Sequence, residues 1–163
     1  KKIVGLDISE GMVNVGIQKI KRKGLSEKIT LQVGDSEKIN FKNEEFDGIT
    51  VGFGVRNFEN LEKGLSEMYR VLAPNGKVII LEFSKPKKFP VKQFYFFYFK
   101  YILPKIGRLI SKDKTAYTYL PDSVKAFPDG EKFTSILEKV GFKETNIISC
   151  SFVIASIYVG TKL

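Results

Sequence analysis

Apolar positions fall into a repeating two-part rhythm along the first half of the chain. A short apolar run, Ile3 to Leu6, ends at Asp7; Ser9 then stands as an N-cap, and Met12, Val13, Ile17 and Ile20 share one helical face. That is strand, tight turn, helix. Gly24 falls where such a helix ends, and Ile29 to Val33 predicts a second strand closing on Gly34-Asp35-Ser36. Phe46 to Phe53 predicts a third strand, and Leu61, Leu65, Met68 and Leu72 keep the three- and four-residue spacing of a second helix. Pro74-Asn75-Gly76 marks a turn before a fourth strand, Lys77 to Phe83, whose Val-Ile-Ile-Leu core is apolar on both faces, as a buried parallel strand should be. Strands alternating with helices predict an α/β fold with a parallel sheet.

The segment from Lys85 to Lys114 breaks this rhythm. It is basic, contains Pro86, Pro90 and Pro104, and carries the run Phe94-Tyr95-Phe96-Phe97-Tyr98-Phe99 with Tyr101 close behind. A helix from about Val91 to Leu103 is expected within it, in an insertion over about residues 85–128 that caps the sheet. Beyond it, Asp129 is placed to cap a helix bearing Phe133, Ile136, Leu137 and Val140 and closed by Gly141. Two last strands, near Lys143 to Ser149 and Val153 to Thr161, lie too close in sequence for a crossover and must pair as an antiparallel hairpin. With 43% hydrophobic content and no repeat or low-complexity linker, residues 1–163 read as one domain.

Composition narrows the chemistry. Histidine is absent, which removes the commonest general base and zinc ligand and leaves proton transfer to carboxylates, tyrosines, water or the substrate. The single cysteine, Cys150, permits no internal disulfide and no multi-cysteine metal site; a reducing, cytoplasmic setting without a bound metal is expected, with Cys150 a small buried apolar residue. A net charge of +9 points to an anionic partner: nucleic acid, acidic lipid headgroups or an anionic cofactor. No apolar run reaches the roughly 18 residues of a membrane span, so a soluble or peripheral protein is expected.

Candidate site residues gather at predicted strand ends, where open α/β sheets bind ligands. Asp7 can accept both ribose hydroxyls of a nucleoside cofactor, or be no more than a solvated acid at a helix start. Asp35 occupies the same place after the next strand, suited to the adenine amino group, with Ser36 stabilising its loop. No glycine-rich turn precedes Asp7; Gly52-Phe53-Gly54 is the nearest substitute, and Gly52 has close packing beside a crevice as its plainer explanation. Arg56 and Asn57 place a fixed cation and an amide at the sheet edge. Arg56 can hold a developing phenolate or form a structural salt bridge, and Asn57 can orient a hydroxyl or water. Tyr98 in the aromatic run, and Tyr117 and Tyr119 after it, can meet a substrate or simply pack. The aromatic run with its flanking lysines can wall a pocket or touch a membrane surface.

Two other classes remain open at this level. An acid after a strand also serves a nicotinamide-dependent oxidoreductase, although the antiparallel hairpin and Pro104 inside Tyr101-Ile102-Leu103-Pro104-Lys105 speak against it. The positive charge suits a nucleic-acid-binding module, although the basic residues cluster with aromatics and prolines in one insertion.

The block Arg70-Val71-Leu72-Ala73-Pro74-Asn75-Gly76-Lys77-Val78-Ile79-Ile80-Leu81-Glu82-Phe83-Ser84 is the most specific stretch in the chain. With Phe46-Asp47 through Gly54-Val55-Arg56-Asn57, Leu103-Pro104-Lys105-Ile106-Gly107, Tyr117-Thr118-Tyr119-Leu120-Pro121 and Leu137-Glu138-Lys139-Val140-Gly141-Phe142, it resembles the C-methyltransferases of ubiquinone and menaquinone biosynthesis over almost the whole length. Ala73 and Asn75 depart from that family's usual Lys and Gly, and a serine often found at Gly52 is absent. The resemblance implies a Rossmann-like, class I S-adenosylmethionine-dependent methyltransferase fold, with Asp7 on the ribose and Asp35-Ser36 on the adenine side. It implies C-methylation of a lipid-soluble prenylated quinol, either demethylmenaquinol to menaquinol or the equivalent benzoquinol step. Arg56 and Asn57 are then the expected catalytic residues and Tyr98, Tyr117 and Tyr119 the substrate-facing ones. Transient contact with the inner face of the cytoplasmic membrane is expected, and no nucleic-acid partner. The family's first strand, with its glycine-rich loop, has no counterpart here. It lies centrally in that fold, so a gap is expected between the strands of Ile3 to Leu6 and Phe46 to Phe53, filled by a longer chain or by a second copy in a homodimer.

Overall fold

The computed structural model describes residues 2–86, 89–97, 101–102, 116–150 and 154–163, the side chains of residues 96 and 116–118 excepted. Strand β1 (Ile3–Asp7) leads through Ser9, whose hydroxyl accepts from the Met12 amide at 3.4 Å, into helix α1 (Glu10–Arg22). Gly24, at φ 66°, turns the chain out of the helix into β2 (Ile29–Val33), which pairs parallel with β1. Next come β3 (Phe46–Gly52), a 3₁₀ turn (Val55–Asn57), and α2 (Leu61–Val71), capped by the Asn60 side chain on the Lys63 amide. Strand β4 (Leu72–Phe83) follows directly and pairs parallel with β3. The expected Pro74-Asn75-Gly76 turn lies inside β4 as a bulge: Phe46 faces Leu72 while Gly48 faces Lys77, and Asn75 takes a φ of 62°.

Helices α3 (Val91–Phe97) and α4 (Ala116–Ala126) lie between β4 and the last helix. The expected helix from Val91 to Leu103 is seen as far as Phe97; residues 98–100 and 103 lie outside the described residues. Helix α4 was not expected, because Pro121 in its interior removes a backbone donor and masks the pattern. In α3, Tyr95 is buried whereas Phe94 and Phe97, three residues apart, are 72% and 55% exposed, so one aromatic face turns inward and another to solvent. Helix α5 (Glu131–Val140) is not capped by Asp129: its N-cap is Gly130, at φ 69°, without a side-chain bond. Asp129 is instead drawn to Lys85, accepting from its amide at 2.9 Å and pairing with its ammonium at 3.0 Å. Gly141, at φ 126°, closes the helix as expected.

Strands β5 (Lys143–Cys150) and β6 (Ala155–Thr161) form the expected antiparallel pair, with β6 lying between β4 and β5. Cys150 is half-buried rather than buried. The core gathers on one face of this sheet: Val78 and Ile80 of β4 and Tyr158 of β6 meet Leu65 and Met68 of α2, Phe133 and Leu137 of α5, and Phe142. Tyr158, fully buried, satisfies its hydroxyl by accepting from the Gly130 amide at 2.8 Å. Lys162 crosses behind the end of α2 and donates to the carbonyls of Tyr69 and Leu72, the groups a helix terminus leaves open.

The sheet is interrupted where the gap was expected. Strands β1 and β2 form one two-stranded sheet, and the remaining strands run β3-β4-β6-β5 in another. Among the described residues, the loop after β2 holds the two parts together through its bonds to α2: the Asn60 amide donates to Glu37 at 3.0 Å and the Ile39 amide to Glu67 at 2.9 Å.

Candidate active site

Asp7 ends β1, and pairing of Asp7 with Val33 sets Asp35 two residues beyond the end of the neighbouring strand. The Gly34 amide donates to the Asp7 carbonyl at 3.0 Å, so both acids occupy one carboxyl edge. Each acid folds its own turn in the same way. Asp7 Oδ1 accepts from the Ser9 amide at 2.8 Å, and Asp35 Oδ1 accepts from the Glu37 amide at 2.7 Å. One oxygen of each carboxylate is thereby fixed; among the described residues the other has no protein donor, and both residues are exposed. Ser36, which follows Asp35 in the loop, is half-buried. Two oriented anions with an open acceptor oxygen suit hydroxyl or amine donors of a nucleoside.

The loop after β3 reaches the same region through α2, because the loop carrying Asp35 docks on Asn60 at the start of that helix. Close packing does not explain Gly52: no atom lies within 4 Å of where its Cβ would stand, so its backbone borders open space. Phe53 follows at φ 55°, an unusual conformation for a bulky residue, with its ring 4.6 Å from that of Phe83. That turn aims the Phe53 carbonyl at Arg56, whose Nη1 donates to it.

Arg56 is also bonded to a residue that had no assigned role. Glu82, completely buried near the end of β4, accepts from Arg56 Nη1 at 3.0 Å, from the Arg56 amide at 3.3 Å and from the Phe83 amide at 2.9 Å. The guanidinium lies 5.4 Å from the Phe83 ring centroid, and its Nε is buried without an acceptor. The salt bridge foreseen as one alternative for Arg56 is therefore present, and it engages only Nη1. A signal for Glu82 existed in the sequence, since it is the one acid in the otherwise apolar run Val78 to Phe83.

Asn57 is exposed, and its Oδ1 accepts from the Tyr119 hydroxyl of α4 at 3.0 Å. Three expected site residues, Arg56, Asn57 and Tyr119, are thus brought together. Tyr98 and the side chain of Tyr117 lie outside the described residues. Tyr95, in the inward face of α3, has its phenol pushed up to about 12 by burial and by the nearby Asp129 carboxylate.

The model of the ubiE/COQ5 methyltransferase family matches residues 1–162. A demethylmenaquinone methyltransferase from Bacteroides fragilis is 48% identical over 162 residues, covering 99% of this chain and 66% of that protein. The ubiquinone/menaquinone biosynthesis C-methyltransferase UbiE of Geobacter sulfurreducens is 46% identical over 160 residues, 98% of this chain and 62% of its own length. The chain thus spans just under two thirds of these curated relatives. Among solved structures, a SAM-dependent methyltransferase from Aquifex aeolicus superposes with a TM-score of 0.64 at 18% identity, covering 99% of this chain and 69% of that one. Phosphoethanolamine N-methyltransferase 2 of Haemonchus contortus superposes at 0.68 and 14% identity, over 99% of this chain and 43% of its own. These likenesses show the Rossmann-like methyltransferase fold.

Proposed function

The chain belongs to the ubiE/COQ5 methyltransferase family, and from that premise we propose that it carries the adenosine-side and acceptor-side residues for S-adenosylmethionine-dependent C-methylation of a prenylated quinol, a demethylmenaquinol before a benzoquinol. The naphthoquinol preference rests on relatives named demethylmenaquinone methyltransferase at 42–48% identity. The observation that carries the reading is the site's arrangement: two carboxylates with open oxygens after β1 and β2, and after β3 a cation and an amide tied to a tyrosine of the cap.

Asp7 and Asp35 fit the nucleoside half of the cofactor, because each keeps one acceptor oxygen free at a sheet edge, and the open space at Gly52 lets a ligand approach the backbone. When bound, S-adenosylmethionine supplies a methyl group on a sulfonium, open to in-line attack by a nucleophilic carbon. The protein's share is to make and place that carbon. Arg56, permanently charged, stabilises the oxyanion of the quinol hydroxyl next to the reacting position, and loss of that proton enriches the ring carbon. Its orphaned Nε is a donor awaiting such an oxygen. Asn57, its carbonyl held by Tyr119, presents its amide N–H groups to a hydroxyl or to the water that takes the proton.

The exposed side of the cap fits the source of such a substrate. Phe89, Phe94 and Phe97 stand 80%, 72% and 55% exposed beside Lys92, a composition suited to transient contact with an anionic bilayer surface. No helix among the described residues is long and apolar enough to cross a membrane. Lipid extracts of a strain lacking the gene test the assignment. Accumulated demethylmenaquinone supports it, a demethylated benzoquinone moves it to the benzoquinol step, and an unchanged quinone profile refutes it.

A further inference from the structure

The buried end of β4 carries a device beyond this reading, and its catalytic consequence rests on Arg56 acting on the acceptor. Along β4, Val78, Ile80 and Glu82 project to the same fully buried face. The first two meet the apolar core, whereas Glu82 meets the 3₁₀ turn. A carboxylate stripped of water persists only when donors replace its hydration. Glu82 has three: Nη1 and the amide of Arg56, and the amide of Phe83. Two come from one residue, so the carboxylate grips Arg56 by backbone and side chain together.

We propose that Glu82 is a positioning residue for Arg56. It occupies Nη1, together with the Phe53 carbonyl, and so turns the Nε–Nη2 edge of the guanidinium toward the acceptor oxygen. Of that edge, Nε is buried with no partner, and among the described residues the side-chain bonds of Arg56 all leave from Nη1. The guanidinium plane is steadied by the Phe83 ring at 5.4 Å. A free arginine would sample many rotamers and could offer any of its five donors; a gripped one offers two in a fixed fork. The Phe53 carbonyl joins the grip only because Phe53 adopts its left-handed conformation, which ties the unusual backbone to the same purpose.

The test is a double-mutant cycle in the full-length enzyme, with E82Q, R56A and the double variant, reading kcat and KM for the quinol, cofactor affinity, and the Arg56 Nε–H resonance by ¹⁵N NMR. Glu82→Gln keeps the shape and an acceptor oxygen but loses the charge. It is expected to lower kcat about 10- to 100-fold with cofactor affinity unchanged, and to add less than about twofold in the R56A background, because a positioning residue has nothing left to position. In the wild type the Nε–H signal should be single and slow to exchange with water; in E82Q it should broaden or exchange quickly. Multiplying losses in the double variant, or an Nε–H signal indifferent to E82Q, overturn the proposal. If E82Q does not accumulate folded, E82D replaces it in the same cycle: it retains the charge but draws it back by one methylene, and wild-type turnover in folded E82D overturns the proposal equally. A signal that responds to E82Q while R56A leaves turnover unchanged would uphold the grip and refute Arg56 as the oxyanion's partner.

Discussion

Arg70→Ala separates the loop that carries Asp35 from the helix that holds it. The Arg70 guanidinium donates to both oxygens of Glu67 at 2.7 and 2.8 Å, to the carbonyls of Ile39 and Phe41 at 2.7 and 2.8 Å, and to Asn43 Oδ1 at 2.9 Å. Glu67 in turn accepts from the Ile39 amide, so the pair clasps the loop that begins with Asp35 and Ser36. Five charged hydrogen bonds would be a large loss if buried. The Arg70 and Glu67 side chains are 31% and 22% exposed, so water screens the pair and reaches the freed carbonyls after truncation. A net loss of about 2 kcal/mol follows rather than the sum of five buried bonds. For a chain of this size that is about 4 to 8 °C in melting temperature.

Acid sharpens the same test. The hydrogen bonds from Arg70 hold the Glu67 carboxyl below its ordinary range, outweighing the opposite push of burial. A carboxyl with a depressed folded value contributes stability that is present above its unfolded pKa and lost as pH falls through the folded one. Urea midpoints of the wild type should therefore fall on acidification below about pH 4, and Arg70→Ala should flatten that limb. Titration calorimetry with S-adenosylhomocysteine should show about tenfold weaker binding, equivalent to about 1.4 kcal/mol. An unchanged midpoint refutes the clasp; a lowered midpoint with unchanged affinity refutes the placing of the nucleoside beside Asp35.

Tyr119→Phe removes the bond to Asn57 without emptying space, and with Tyr119 53% exposed the melting temperature should move by no more than about 2 °C, while quinol turnover falls about 3- to 10-fold, as expected for one lost orienting hydrogen bond. Ser84 and Ser156 bond to each other at 2.7 Å in a buried site, so Ser84→Ala should cost about 1–2 kcal/mol in urea unfolding by stranding Ser156, and adding Ser156→Ala should restore part of it. Tyr95 should ionise near pH 12 in an ultraviolet titration, and Tyr95→Phe should delete that phase; because its folded value is raised, its stabilisation is complete below the unfolded pKa and disappears as pH climbs through the folded one.

Elements with a local cause were readable from the sequence. Ser9 caps α1, Gly24 and Gly141 take positive φ where the helices end, and the short link before β6 forces the antiparallel hairpin. The departures have nonlocal causes. Asp129 has the right chemistry for an N-cap, yet Lys85, 44 residues away, offers it both an amide and an ammonium, and that competition is invisible along the chain. Helix α4 forms despite Pro121 in its interior, although local propensity alone argues against it. The turn at Pro74-Asn75-Gly76 is real as chemistry, but backbone bonds between Asn75, Gly76 and Lys162 stitch it into the strand as a bulge.

Among the candidate site residues, the positions of the acids after β1 and β2 were legible because strand ends recur at a readable spacing, whereas the grip on Arg56 required register. Parallel pairing sets Gly52 opposite Leu81, which brings the loop after β3 beside the next residue of β4, Glu82. An acid placed there on the buried face demands a cation, and between Gly52 and Phe58 the sequence offers only Arg56. The structural ion pair and the proposed catalytic role of Arg56 use different atoms of one side chain. A guanidinium has donors on more than one edge, so an ion pair through Nη1 is compatible with the proposed use of the Nε–Nη2 edge on an acceptor oxygen.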